Sequence, residues 1–492
     1  MKKLIILIAV YLVCQGLADA ATLSKIRFGY YPEKIRAVFY LDSSFSYQSD
    51  EYPDKIVIHF NDTTAGSDIN NYVELDDLVV RHLEIENNWP DLTVTIPLSE
   101  PIEYNVFSLN DPSRLVIDFG REYINIVSGG SIADGIEFLK IKKGTPAGRI
   151  NATVLKVDMD KTDVFPALAK KYKPNILESF VSLVAPWNRK GDSHFYLDKV
   201  SNIAADNNAL AGINGTYFAY TGTPLGALVI DQELVTYPIY DRTSLIIDED
   251  SQAFIDNVFI YSFFSVKDSP RYNISGINRH RNDDDIIIYS PAWGQFTQTD
   301  EEGLELVVKG SRIAEINLGN SEIPENGYVI SVSGSALTGL TEQVKVGNKV
   351  ESHIKIVPYA VAPDNIIHLI SGGPRLLKKG RVYVSKHEEN FRVDIAKGRA
   401  ARTAVGVTKD NKLLLITVDG PHRQTNRDKS PSSIGVSLEE LSELLLNLGA
   451  VEAMNLDGGS SSTMVINGET VNNPVSGFQR RVSNAILVKP RY

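Results

Sequence analysis

Four stretches of this chain place polar, glycine-flanked residues where an apolar run stops. Leu210–Ile213 stops at Asn214-Gly215-Thr216-Tyr217-Phe218, and Ile366–Ile370 at Ser371-Gly372-Gly373-Pro374. Leu413–Val418 stops at Asp419-Gly420, and Val451–Leu456 at Asp457-Gly458-Gly459-Ser460-Ser461-Ser462-Thr463. Such runs read as strands, and side chains can converge beyond strand ends, where backbone groups are unpaired. Glycine there permits positive φ and lets backbone N–H groups approach an anion. Asp-Gly by itself is a common turn, but four such ends in one region point to a site. Asp457 is the leading candidate for a catalytic carboxylate, and Asp419 is the second. Arg402 enters a strand one hairpin before Asp419, and its planar fork suits a phosphate or carboxylate. Arg480-Arg481 offers the same chemistry near the carboxyl end.

Other chemistries lack their residues. There is no GxSxG elbow, no HExxH, no P-loop and no GxGxxG after a strand, so serine hydrolase, zinc protease and nucleotide-binding readings fall away. The histidines show no metal-ligand spacing, His422 reads as an exposed loop residue, and Asp283-Asp284-Asp285 reads as a solvated turn. No metal and no cofactor is expected.

The elements that must position these residues span a chain of 492 residues, long enough for two to four domains at roughly 100–200 residues each. Lys+Arg is 50 against Asp+Glu 61, a formal charge of −11 without a long basic run, so nucleic acid is not an expected partner. Lys2 and Lys3, the apolar Leu4–Val13 and the small residues Ala18-Asp19-Ala20 form a signal peptide expected to be cut after Ala20. Its apolar run of about ten residues is short of the roughly 20 that span a bilayer. Cleavage removes Cys14, the only cysteine, so an exported protein held by burial without disulfides is expected, periplasmic or envelope-associated. No transmembrane span is expected.

Residues from about 21 to 122 read as all-β and contain a repeat. Ala37–Leu41, Phe45–Tyr47 and Pro53–Phe60 have a second copy in Val94–Leu98, Ile102–Tyr104 and Pro112–Phe119, which suggests a duplicated β-sandwich. The second copy, with Tyr104–Phe107 and Asp111–Phe119, resembles the AMIN domain at the front of envelope amidases, and implies envelope attachment. Val127–Gly135 is expected to be a linker (123–135) before one region from 136 to 492. In that region a helix is expected over Leu438–Leu448, with Ser437 and Glu440 as a capping box and Gly449 in the left-handed position. A second helix is expected over Lys199–Ala209, capped by Asp198. The fold class expected is α+β: a mixed-sheet domain with packed helices, preceded by an all-β sandwich.

Asn214–Phe218, Ser371–Pro374, Arg402-Thr-Ala-Val-Gly406, Val418–Gly420 and Asn455–Met464 occur in the order seen in phosphodiester glycosidases, and Ile136–Lys489 resembles that family. Ser460 stands where the family usually has a third glycine, and Gln479-Arg480 where Glu-Arg is frequent. The resemblance implies hydrolysis of a sugar-1-phosphodiester on a phosphosugar or cell-wall glycopolymer. Glycosidic cleavage builds oxocarbenium-like charge that Asp457 or Asp419 can stabilise or attack. Arg402, Arg480 and the Gly458 and Gly459 amides can neutralise the phosphate. Asn214, Tyr217, Ser371, Gly372, Gly373 and Ser461 complete the expected substrate-binding set. Two other readings stand beside this one: a non-catalytic glycopolymer binder, and a metal-dependent phosphatase-like enzyme using both aspartates.

Overall fold

The computed structural model describes residues 20–75, 77–170, 195–267, 269–392, 395, 398–421 and 433–491. The expected leader, Cys14 and His422 lie outside the described residues. The chain divides into two compact units, Met1–Asn125 with Lys143–Gly148, and Ile126–Lys142 with Arg149–Tyr492.

The first unit contains two five-stranded sheets that share one core, including Phe39, Phe60, Ile58, Val94 and Phe119. Alternation drives it: Lys34–Leu41 and Asp91–Pro97 bury every second residue. The two sequence copies exchange strands. Lys34–Leu41 of the first pairs antiparallel with Ser113–Gly120 of the second, Ala37 opposite Ile117. Asp91–Pro97 of the second pairs with Lys55–Asn61 of the first, Val94 opposite Ile58. Each sheet therefore needs both copies.

The second unit is built on an eight-stranded sheet whose central strands are Gly148–Asp158, Lys412–Val418, Arg402–Thr408, Ala450–Asn455 and Arg375–Lys378. Their continuous apolar runs are buried on both faces. Leu413, Leu415 and Val405 enter a core shared with Ile213, Leu245, Ile370 and Ile486 from two further sheets. Leu414, Ile416 and Ala404 face the helix Leu438–Asn447 instead. Those further sheets are a five-stranded one around Asn484–Pro490 and Ala211–Asn214, and a seven-stranded one around Ile366–Ser371 and Thr243–Asp248. Another five-stranded sheet, centred on Gly327–Val332, lies within 276–332.

The fold is therefore β-rich, which corrects the α+β expectation. Among the described residues the α-helices are Val200–Asp206, Ala336–Thr341 and Leu438–Asn447, all short. Sheets cover sheets here, so helices are needed only to close outer faces. The helix Leu438–Asn447 has the expected capping box, and Gly449 follows at φ +98. The other expected helix is shorter and capped differently. It starts after Lys199, and Asp198 holds Asn202 Nδ2 at 2.8 Å instead of an N-cap position. The stretch expected as a linker is a strand, Tyr123–Ala133, and a Cβ at Gly129 would come within 2.7 Å of the Phe138 carbonyl oxygen. Small residues here permit close strand approach, and the division between the two units falls within this stretch, at Asn125/Ile126.

Candidate active site

Strand Arg402–Thr408 runs antiparallel to both neighbours, so Lys412–Val418 and Ala450–Asn455 run alike and finish at one end of the sheet. Arg402 lies opposite Val418 and Ala404 opposite Asn455, which carries Asp419 and Asp457 to that end. The convergence comes from antiparallel pairing on both sides of Arg402–Thr408.

Buried asparagines join the sheet ends. Asn214 Nδ2 donates to the Asp457 carbonyl at 2.7 Å, and its Oδ1 accepts from Thr403 Oγ1 at 2.8 Å and Thr463 N–H at 3.1 Å. Asn455 Nδ2 donates to Tyr217 Oη at 2.8 Å, and the Tyr217 hydroxyl donates to the Gly373 carbonyl at 3.0 Å. The Gly373 N–H donates back to the Asn455 carbonyl at 2.8 Å. Gly373 has φ +94, and a Cβ there would meet Glu389 Oε2 at 2.3 Å, so only glycine fits this joint.

Asp457 is the electrostatically unusual group. Burial pushes its carboxyl up to about 6, against the opposing pull of Ser461, Arg480 and the Gly458 N–H. Burial disfavours the charged form, so the acid titrates near neutrality, where a catalytic carboxylate is useful. Burial and the nearby Asp457 also raise the Tyr217 phenol, which stays protonated. Arg480 is exposed, with its guanidinium 5.0 Å from the Phe218 ring centroid, and Nη1 donates to Ser461 Oγ at 3.1 Å and Ser460 Oγ at 3.3 Å.

Several expected site residues have other partners. Arg402 is 4% exposed, and its Nε, Nη1 and Nη2 donate to the carbonyls of Val436, Ile395 and Gly398 at 3.3, 3.1 and 3.1 Å. Its fork therefore holds backbone, which corrects the expectation of a phosphate fork. The expected amide cradle is also occupied. Gly459 N–H donates to the Ala401 carbonyl at 2.8 Å, and the Gly458 N–H favours the charged form of the Asp457 carboxylate. Gly372 N–H donates to the Thr243 carbonyl at 2.8 Å, and Ser371 Oγ accepts from Ala227 N–H and meets Ser244 Oγ, so this turn joins strands. Asp419 is buried, and its two oxygens accept from Asn473 N–H at 2.9 Å and Asn473 Nδ2 at 3.0 Å.

Sequence reasoning missed Arg242, Glu389, Phe391 and Asn484. Glu389 is buried and accepts from Thr243 N–H, Thr243 Oγ1 and Arg375 N–H, which pins the Gly373 turn. Asn484 Oδ1 accepts from Thr216 N–H at 2.8 Å. Arg242 lies over Phe391 with its guanidinium 4.3 Å from the ring centroid. None of these follows a glycine-flanked strand end, so no local pattern marks them. Among the described residues no cluster of three His, Cys, Asp or Glu side chains could hold a metal ion.

Residues 302–489 match the family model described as phosphodiester glycosidase. Among curated relatives, the N-acetylglucosamine-1-phosphodiester alpha-N-acetylglucosaminidase of Bos taurus is 32% identical over 145 residues, 25% of each chain. That of Mus musculus is 27% identical over 191 residues, 35% of each chain. The chain thus spans a quarter to a third of these relatives. A hypothetical protein from Synechocystis has the same fold, with a TM-score of 0.61 and 22% identity, over 96% of this chain and 81% of that one. A Burkholderia pseudomallei K96243 structure matches with a TM-score of 0.55 and 18% identity, over 91% and 97%. No described helix is long and apolar enough to cross a membrane.

Proposed function

We propose that this chain is an exported hydrolase that cleaves the glycosidic bond of a sugar-1-phosphodiester on an envelope glycoconjugate. Water adds across the bond from the sugar's C1 to the phosphate oxygen, giving the free sugar and a phosphomonoester. The reading rests on one observation above all: a carboxyl group pushed up to about 6, within reach of Arg480 and beside the Tyr217–Asn455 network. Above that value Asp457 carries the negative charge that stabilises or attacks the oxocarbenium-like centre. The leaving phosphate ester is weakly basic, so neutralising it matters more than protonating it. Arg480, with Ser460 and Ser461 orienting its fork, supplies that neutralisation. Asp419, bound to Asn473, is assigned to holding the site wall. The first unit, by its AMIN resemblance, is assigned to gripping wall polymer.

The test is turnover of a chromogenic sugar-1-phosphodiester by the full chain and by Asp457→Asn. Turnover lost in the variant supports the reading. Tight binding without turnover by the parent supports the glycopolymer-binding reading instead, and loss of turnover with a chelator supports the metal-dependent one.

A further inference from the structure

Arg242 and Arg402 are both arginines drawn out of water, yet they differ in what their donors meet. Every donor nitrogen of Arg402 has a backbone carbonyl. Arg242 Nε is buried with no acceptor among the described residues, and Glu389 acts on the guanidinium through its charge. Aromatic faces hold it: the guanidinium lies 4.3 Å from the Phe391 centroid, 5.5 Å from Tyr240 and 5.8 Å from Tyr217. Phe391 and Tyr217 themselves touch, with centroids 5.8 Å apart. Stacking retains a cation but satisfies no N–H, because donors in the guanidinium plane need in-plane oxygens. An unmatched buried donor is costly, and a ligand oxygen would relieve that cost.

The position is built. Arg242 immediately precedes the strand Thr243–Asp248, and Thr243 is fixed to Glu389 through both its N–H (2.9 Å) and its hydroxyl (2.6 Å). Thr243 also accepts the Gly372 N–H at 2.8 Å. The same Glu389 carboxylate blocks any side chain at Gly373, whose carbonyl takes the Tyr217 hydroxyl. Arg242 is thus tied through Thr243 and Tyr217 to the network that carries Asp457.

We propose that Arg242 is a second anion-binding residue of this site, its Nε–H and neighbouring Nη–H forming a fork for a substrate oxyanion. This rests on the reading of the Asp457 site as one for phosphodiesters. The oxyanion comes either from the phosphodiester itself or from an acidic substituent on the sugar. Arg480 and Arg242 then divide the substrate's negative charge between two cations, one exposed and one stacked.

The experiment compares the full chain with Arg242→Gln and Arg242→Lys. Binding of inorganic phosphate, of a neutral-sugar phosphodiester and of the matching uronic-acid diester is measured by calorimetry, with KM and kcat for both diesters and Tm for each variant. Arg242→Gln is expected to bind at least one diester tenfold or more weaker, with KM rising more than kcat falls. Weakening for phosphate and both diesters assigns the fork to the phosphodiester; weakening confined to the uronic-acid diester assigns it to the acidic substituent. A folded Arg242→Gln that binds all three probes like the parent overturns the proposal. If Arg242→Gln does not fold, Arg242→Lys decides: it keeps a cation on Phe391 and loses the fork, so parent-like affinity overturns the proposal and a loss of threefold or more supports it. A parent that binds diesters without turnover sinks the hydrolase reading and leaves this inference standing.

Discussion

The turns at Asp419 and Asp457 begin alike and end differently. Both follow apolar strands that flank Arg402–Thr408, and both place an aspartate before glycine at the same sheet end. Asp419 is closed off by Asn473, which supplies a donor to each of its oxygens. Asp457 has the Gly458 N–H, Ser461 and a more distant Arg480, and burial outweighs them. A carboxylate supplied with donors becomes a fastener, whereas one left short of them becomes a group whose charge can be used. The sequence motif is shared, and the environment assigns the role.

The strongest challenge to that contrast is Asp457→Asn against Asp419→Asn in turnover. Asp457→Asn should lose at least two orders of magnitude in kcat, about 3 kcal/mol of transition-state stabilisation. Asp419→Asn should lose far less in its folded fraction. Equal losses would mean that the two turns act as a pair.

The pH dependence sharpens the same point. Asp457 is about 6 in the folded protein and ordinary when unfolded, so the folded state binds its proton more tightly. Folding is therefore unpenalised below about pH 4 and loses stability as pH rises from there through about 6. Asp457→Asn escapes that loss, so its stability relative to the parent should improve by up to about 3 kcal/mol between pH 4 and pH 8 in urea unfolding. If the carboxylate form is the working one, kcat/KM of the parent should rise through about pH 6 and then level off. A flat profile across pH 5–7 would remove Asp457 from the chemistry.

Arg402→Lys comes next. Three carbonyls spread around a planar fork cannot all be met by the single, shorter-reaching nitrogen of a lysine, so a loss of roughly 2–3 kcal/mol in stability is expected. Anion affinity of the folded variant should stay near the parent's. A parent-like Tm with weakened phosphate binding would return Arg402 to the substrate. The smallest effect expected is Ser437→Ala, which removes half of a capping box. It should cost about 1 kcal/mol with turnover unchanged.

The local patterns in this chain were legible where one element settles its own geometry. Ser437, Glu440 and Gly449 define a helix's ends through hydrogen bonds a few residues long, and Leu413–Val418 declares a doubly buried strand by composition. The glycine-flanked ends announced where polar groups gather. Partnership was not legible. Arg402 looks like a ligand fork until Ile395, Gly398 and Val436 are seen around it, and the Gly459 amide looks free until Ala401 meets it. Arg242 was not marked by its neighbours, since Tyr240 alone does not make its setting and Phe391 and Tyr217, distant in sequence, complete it.

What the sequence determined by itself was a set of β-strands with polar ends, a duplicated first region and one well-capped helix, because periodicity and capping depend on neighbours along the chain. Tertiary structure alone decided that each copy of the repeat completes the other's sheet, and that antiparallel pairing brings Asp419 and Asp457 to one end. It also decided which aspartate has a donor on each oxygen and which is left perturbed by burial. Those outcomes depend on desolvation and on partners hundreds of residues apart, such as Asn214 and Thr463. Residue type sets what a side chain can do, and the field and donors around it select which of those things it does.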